Sequence, residues 1–276
     1  MKRIVLLLII FLTWTAASHA DTTRTITNSI GMKLIEVRAG KFLYGGKKET
    51  PRSQLWQPRF QTTITLTKDF YLGAHEVTQE QFQRVMESNP SKFKGGGNPV
   101  DSVTWPEANE FCEKLSELPE EKKAGRVYSL PTSAEWEYAC RAGSDDIFYW
   151  NSEDETIIGR YAWCKDWYGK RSKKTHPIGK KKSNKWGFYD MLGNVWEWCI
   201  DGAGAGGAIS VQTYYPKKEG WTDPHFQAKQ KKYAPVIRGG SWNSDFRSAN
   251  CFMVFGQRPL AREKDTGFRA KCMVVK

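Results

Sequence analysis

The chain has 276 residues, 39% of them hydrophobic and 13% aromatic, enough apolar material for a sizeable core and too much for wholesale disorder. Twelve Trp, eleven Tyr and fourteen Phe beside 24 Gly and 12 Pro describe rigid rings joined by turns, which excludes a helical bundle or coiled coil. The formal charge of +12 is local: nine Lys or Arg fall between Lys165 and Lys185, and Lys217, Lys218, Lys229, Lys231 and Lys232 form a second cluster. Such clusters either hold a polyanion such as an anionic glycan or keep an exported chain solvated. No nucleic-acid module signature is present, so nucleic acid is not an expected partner.

Lys2 and Arg3, an apolar stretch from Ile4 to Trp14 and the small residues up to Ala20 have the pattern of a secretory signal peptide, residues 1–20. No later apolar run has membrane length, so the expected mature chain, 21–276, is one domain without a membrane span, secreted or periplasmic. Six cysteines, at 112, 140, 164, 199, 251 and 272, form an even set suited to three disulfides in an oxidising compartment. No CxxC pair occurs and His75, His176 and His225 are far apart, which argues against a sequence-local zinc site.

In chain order, alternation over Met32 to Phe42, Thr62 to Leu66 and Asp69 to Leu72 predicts short strands, with a turn at Gly45 and Gly46. Thr78 is a helix N-cap, with Phe82, Val85 and Met86 at helical spacing over 79–88. A second helix is expected over Pro106 to Leu118, burying Ala108, Phe111, Cys112 and Leu115. A third follows Thr132, in capping-box register with Glu135. Beyond Arg141 regular periodicity fades, so the fold class is α+β with much irregular loop. The run GAGAGG at 202–207 lacks the Lys and Ser or Thr of a phosphate loop and reads as a mobile surface loop.

Two segments carry the densest chemistry. In GFYDMLGNVWEWC, residues 187–199, Asp190, Glu197 and the carbonyls between them suit a hard cation such as calcium; the same pattern also fits a tight turn around a buried Glu met by backbone donors. In VIRGGSW, 236–242, two glycines after a β-branched pair permit a bend and a close backbone approach.

Together with GMKLIEV and GKF near the start, EVTQEQF at 76–82, PVDSVTW at 99–105, LPTSAEWEYACRAG at 130–143 and GFR at 267–269, these segments resemble the formylglycine-generating enzymes, or sulfatase-modifying factors. The motifs stand in family order across almost the whole chain. The resemblance implies a formylglycine-generating enzyme fold, C-type-lectin-like, with low regular secondary structure. It also implies a structural calcium ion held by Asp190, Glu197 and the carbonyls of Gly193 and Val195. A further calcium site of the family does not carry over, because 163–185 is Lys-rich and nearly free of acids. The implied disulfides are Cys112 with Cys272 and Cys140 with Cys251, which leaves Cys164 and Cys199 as the third pair.

Active relatives place two cysteines soon after GGS, where paired thiolates hold copper(I) for oxidation of a substrate cysteine to formylglycine. Here the corresponding loop reads NSDFRSAN, 243–250, without a cysteine, and Ser244 stands where the first would be. A serine hydroxyl is neither readily ionised nor soft, so copper is not expected. The expectation is a pseudoenzyme: a binding module for a protein or peptide ligand through Trp242, Asn243, Asp245, Phe246 and Arg247, with Arg258 and Arg262 nearby in sequence. The alternative is a formylglycine-generating oxidase acting on a cysteine of sulfatase-type proteins.

Overall fold

The computed structural model describes residues 24–46, 61–152, 154–165, 173–204, 207–208, 220–225 and 233–275. The expected leader, the lysine cluster from 217 to 232, and Lys170 and Arg171 lie outside the described residues. The chain opens with strands β1 (Thr25–Thr27), β2 (Lys33–Val37), β3 (Gly40–Gly45), β4 (Gln61–Leu66) and β5 (Phe70–Gly73); β4 and β5 fall on predicted strands, the expected Met32 to Phe42 stretch is divided between β2 and β3, and β1 was not expected. Helices α1 (Gln79–Met86), α2 (Trp105–Glu117) and α3 (Pro119–Lys123) follow, then β6 (Arg126–Ser129), α4 (Ser133–Arg141) and α5 (Glu155–Tyr161). The C-terminal half supplies β7 (Trp196–Gly204), β8 (Gly207–Ala208), β9 (Trp221–Thr222), β10 (Tyr233–Arg238), β11 (Val254–Gly256), β12 (Thr266–Gly267) and β13 (Lys271–Val274).

Local chemistry explains the helix starts. Thr78, Thr104 and Thr132 each accept from the backbone three residues on, and Gln81, Glu107 and Glu135 reach back to the cap N–H, so α1, α2 and α4 all begin in complete capping boxes. Ala108, Phe111, Cys112 and Leu115 are the buried face of α2, as their spacing requires. Helices α3 and α5, five and seven residues long, carry too few turns for periodicity to reveal them.

Three sheets result, in strand orders β1-β2-β5-β13-β6, β12-β7-β10-β11-β8 and β3-β4-β9. The first joins the two ends of the chain, because β13 inserts between β5 and β6. In the second, β7 pairs antiparallel with β10 and parallel with β12, which places Glu197 opposite both Arg238 and Gly267. Gly202–Gly204 belong to β7, paired with Tyr233 to Pro235, and Gly207 belongs to β8, so most of the GAGAGG run is sheet and not a mobile loop. Backbone pairing satisfies a strand whatever its side chains, and the small residues hide that from composition.

Two clusters of buried side chains fill the interior. One packs α4, β2, β4 and β10 residues around Trp136, Phe188 and Leu192; the other packs α1 and α2 around Phe82, Phe111 and Phe268. Phe82 stacks on Phe111 at 5.5 Å, and Phe268 meets both rings edge-on. Helix α4 sits at the junction with charged side chains: Glu137 accepts from Arg141 Nε at 2.9 Å and from Arg238 at 2.5 Å, all three buried. Arg238 also donates to the carbonyls of Cys251 and Phe252, closing the end of the loop that begins at Gly239. Glu137→Gln leaves two buried guanidiniums without their shared anion and is expected to destabilise the fold by about 3–5 kcal/mol, read as a fall in the urea midpoint.

Candidate functional site

Three segments far apart in sequence are laced together by backbone hydrogen bonds. Asn194 N donates to Trp163 O, Trp242 N to Asn194 O and Lys165 N to Ser244 O, each at 2.9 Å, while Gly193 N donates to Gly239 O at 3.0 Å. Gly193, at φ 85°, lies so close to Trp163 that a Cβ there would stand 2.4 Å from its carbonyl oxygen. Asn194 also holds the next stretch through both faces of its amide, accepting from His176 N at 3.0 Å and donating to His176 O at 3.2 Å. The lysine-bearing segment therefore runs beside the loop singled out from the sequence. Lys165 is bridged to Asp245, and Lys181 lies over the Trp163 ring at 3.6 Å, with His176 stacked on the same ring.

Within the loop, Ser241 Oγ donates to Asp265 Oδ2 at 2.7 Å and lies 3.1 Å from Ser244 Oγ, which in turn accepts from Ser241 N at 3.0 Å. The first position after the diglycine bend is thus a hydroxyl pair anchored by a carboxylate. Sequence reasoning missed Asp265, whose link to Ser241 spans 24 residues. Asp245 is bound by Arg247 through both carboxylate oxygens, at 2.8 and 2.9 Å, and this pairing holds its carboxyl below the usual range.

Of the five expected ligand-contacting residues, Asn243, Asp245 and Arg247 are partly exposed, whereas Trp242 and Phe246 are buried, at 3% and 7% exposure. Trp242 packs edge-on against Phe93 at 5.6 Å with the Lys264 ammonium over its face, and its indole N–H meets no acceptor among the described residues. Arg262 is turned away, paired with Glu107 at the start of α2.

The cysteines are all described and none is in a disulfide among the described residues. Cys140 and Cys251 face each other at 3.5 Å inside the first core cluster. Cys112 and Cys272 both belong to the second. Cys199 belongs to the first cluster, and Cys164 is packed against that same cluster. Burial pushes the thiols of Cys112, Cys140 and Cys199 up from their ordinary value, opposing the thiolate form that a soft metal requires.

The four residues implied for calcium are placed unevenly. Glu197 is buried and fully engaged, Oε2 accepting from Trp136 Nε1 and Arg269 Nε, both at 2.6 Å, and Oε1 from Arg269 at 2.7 Å. The buried-Glu alternative was right about burial, although side chains and not backbone amides supply the donors. Asp190 is buried with Oδ2 accepting from Gly179 N at 2.6 Å, but its Oδ1 meets no donor among the described residues, nor does either oxygen of the buried Glu76, which the sequence gave no reason to single out. Burial raises the Asp190 carboxyl to about 6 and pushes Glu76 well above the carboxylate range. Among the described residues no three His, Cys, Asp or Glu side chains converge as a metal-ligand group.

With this geometry in view, residues 20–272 match the sulfatase-modifying factor enzyme 1-like domain, and the chain belongs to that family. It is 32% identical over 225 residues to the chaperone protein LppX of Paenibacillus barcinonensis, covering 66% of this chain and 75% of that one. It is 35% identical over 114 residues to the formylglycine-generating enzyme of Mycobacterium tuberculosis, 37% of this chain and only 33% of the enzyme. Among solved structures, Treponema denticola variable protein 1 superposes with a TM-score of 0.72 at 27% identity, covering 91% of this chain and 99% of that one. PvdO from Pseudomonas aeruginosa gives 0.74 at 20% identity, covering 91% and 98%, a likeness of fold.

The His176 ring, half-buried against Trp163 and flanked by Lys181 and Lys174, has a pKa below its ordinary value of 6.5, chiefly through desolvation. The unfolded chain then binds its proton first as pH falls, so this contribution to stability is complete above about pH 6.5 and is lost below it. An imidazole titration followed by NMR is expected to give a midpoint below 6.5, and His176→Asn to flatten that part of the stability profile.

Proposed function

We propose that this chain is an exported binding domain built on the sulfatase-modifying factor scaffold, without copper oxidase chemistry. The observation that carries the reading is the Ser241–Ser244–Asp265 arrangement at the start of a loop that contains no cysteine. Hydroxyl and carboxylate oxygens are hard donors that bind copper(I) poorly, and Cys140, which faces Cys251 in the core, has its thiol pushed up by burial. The ligand face is formed by Asn243, Asp245 and Arg247, carried on the buried Trp242 and Phe246 and continued by the lysines beside Trp163. Its alternating charge suits a polar protein or peptide ligand. A relative named as a chaperone supports a binding role. No helix among the described residues is long and apolar enough to cross a membrane.

The runner-up, a formylglycine-generating oxidase, is favoured by the 35% identity to the mycobacterial enzyme over 114 residues. One experiment separates them. The mature protein under reducing conditions is expected to take up no stoichiometric copper(I) and to leave a CxPxR peptide unconverted by mass spectrometry; one equivalent of copper with aldehyde formation overturns the proposal.

A further inference from the structure

We infer that the cavity between α4, β9 and β13 binds a small aliphatic monocarboxylate, its head on Lys68, His225 and Lys271 and its tail on Met273.

The cavity has a volume of about 320 Å³, the size of a small ligand site. Leu66 and Lys68 reach it from the end of β4, Glu135 from α4, His225 from the turn after β9, and Lys271 and Met273 from β13. It shares no residue with the ligand face proposed above. Asp223 fixes one wall: its N donates to Thr65 O at 2.9 Å, and its carboxylate accepts from Thr67 N at 2.7 Å and from the Thr67 hydroxyl, tying the end of β9 to the end of β4. At φ 43° it is left-handed, a conformation that Asp tolerates better than most residues, and the chain leaves the strand there with Pro224 buried and His225 exposed. On the opposite wall Lys271 Nζ donates to both oxygens of Glu135, at 2.8 and 3.0 Å, and Glu135 Oε2 also accepts from Thr132 N at 2.8 Å.

Both acids of the cavity are therefore taken by groups of the protein, and its donors are not. An ammonium has three N–H groups, of which Lys271 gives two to Glu135 and keeps one. Lys68 and the His225 ring are exposed, and neither has a hydrogen-bond or ion-pair partner among the described residues. Partial desolvation first, and then Lys271, hold the His225 pKa below its ordinary value, so near neutral pH the ring offers an N–H without a charge of its own. An anion meets all three donors. The rest of the lining is apolar, from Leu66, Pro224 and Met273. Met273 stands opposite Val127 in the β13–β6 ladder, which continues with Val275 N donating to Gly125 O at 2.8 Å, so Met273, Val127 and Val275 share one face. Val127 and Val275 are 50% and 62% exposed, and the apolar wall runs on past the cavity into them. That is room for a hydrocarbon tail. A peptide end would bring N–H groups as well, and both side-chain carboxylates that could accept them are occupied, which favours the simple aliphatic acid.

The test titrates the whole mature protein with hexanoate, acetate, hexylamine and N-acetyl-leucine, by calorimetry and by NMR of the His225 imidazole. Hexanoate is expected to bind at one equivalent and at least tenfold more tightly than acetate, which has no tail to bury. Hexylamine, with the tail and the opposite charge, is expected not to bind. Bound hexanoate is expected to raise the His225 midpoint, because an adjacent anion favours the imidazolium. Lys68→Gln combined with His225→Gln removes two exposed groups and is expected to weaken hexanoate at least tenfold at an unchanged melting temperature. Met273→Gln is expected to narrow the gap between hexanoate and acetate. The inference is overturned by the absence of saturable hexanoate binding, by hexylamine binding as tightly as hexanoate, or by wild-type hexanoate affinity in the double variant. Tighter binding of N-acetyl-leucine than of hexanoate overturns the aliphatic assignment in favour of a peptide carboxylate.

Discussion

The buried pairing of Arg269 with Glu197 ties together parts of the chain that no local interaction would keep in contact. Glu197 is on β7, Arg269 between β12 and β13, and the third group on the same carboxylate, the Trp136 indole, comes from α4. Arg269 also donates to Gly73 O and Tyr189 O, capturing the end of β5 and the turn before β7. A buried ion pair of this kind is a poor source of net stability, since desolvation offsets most of the attraction. What it adds is a link between segments distant in sequence, since Glu197 and Arg269 are 72 residues apart.

Helix α4 couples this pair to a second one. Trp136 serves Glu197, and the adjacent Glu137 serves Arg238 and Arg141. Arg238 immediately precedes the two glycines that turn the chain into the serine loop, both at positive φ, and Gly240 is packed so closely that a Cβ there would sit 2.8 Å from Ala249 Cα. The loop is therefore clamped at both ends, by Gly240 against Ala249 and by Arg238 on the carbonyls of Cys251 and Phe252. Between these clamps the arc from Asn243 to Arg247 is held by Lys165 N on Ser244 O and by the Asp245–Arg247 fork. A preorganised arc of this sort binds with little ordering cost.

The parts of the molecule that were legible from sequence are those whose signals are local. Thr78 and Thr132 announce their helices through residues three positions away, and β4 alternates because its buried residues, Thr62, Ile64 and Leu66, stand at every second position. Strands β7 and β10 were hidden for the converse reason: Glu197, Trp198 and Cys199 are buried in succession, as are Val236, Ile237 and Arg238, so no period of two survives. The site divides along the same line. Asp190, Glu197 and Ser244 could be picked out as notable residues, but the meaning of each depends on a partner distant in sequence, Arg269 for Glu197 and the hydroxyl of Ser241 with Asp265 behind it for Ser244.

This division bears on how much the motif set says about chemistry. Most of the residues that carry the family resemblance serve the scaffold: Thr132 caps α4, Trp136, Glu197 and Arg269 form one buried knot, Arg238 closes the loop, and Trp198 donates to Val103 O at 2.9 Å across the second core. Any chain that adopts this fold has reason to keep them, whether it oxidises, binds or does neither. Their agreement with the family therefore weighs heavily for architecture and lightly for activity. The weight for activity falls on the arc after the diglycine bend, where backbone geometry is set by residues outside it and side chains are left to choose the chemistry. In this chain that arc offers hydroxyls, amides, a carboxylate and a guanidinium, all groups that recognise by hydrogen bonding and charge.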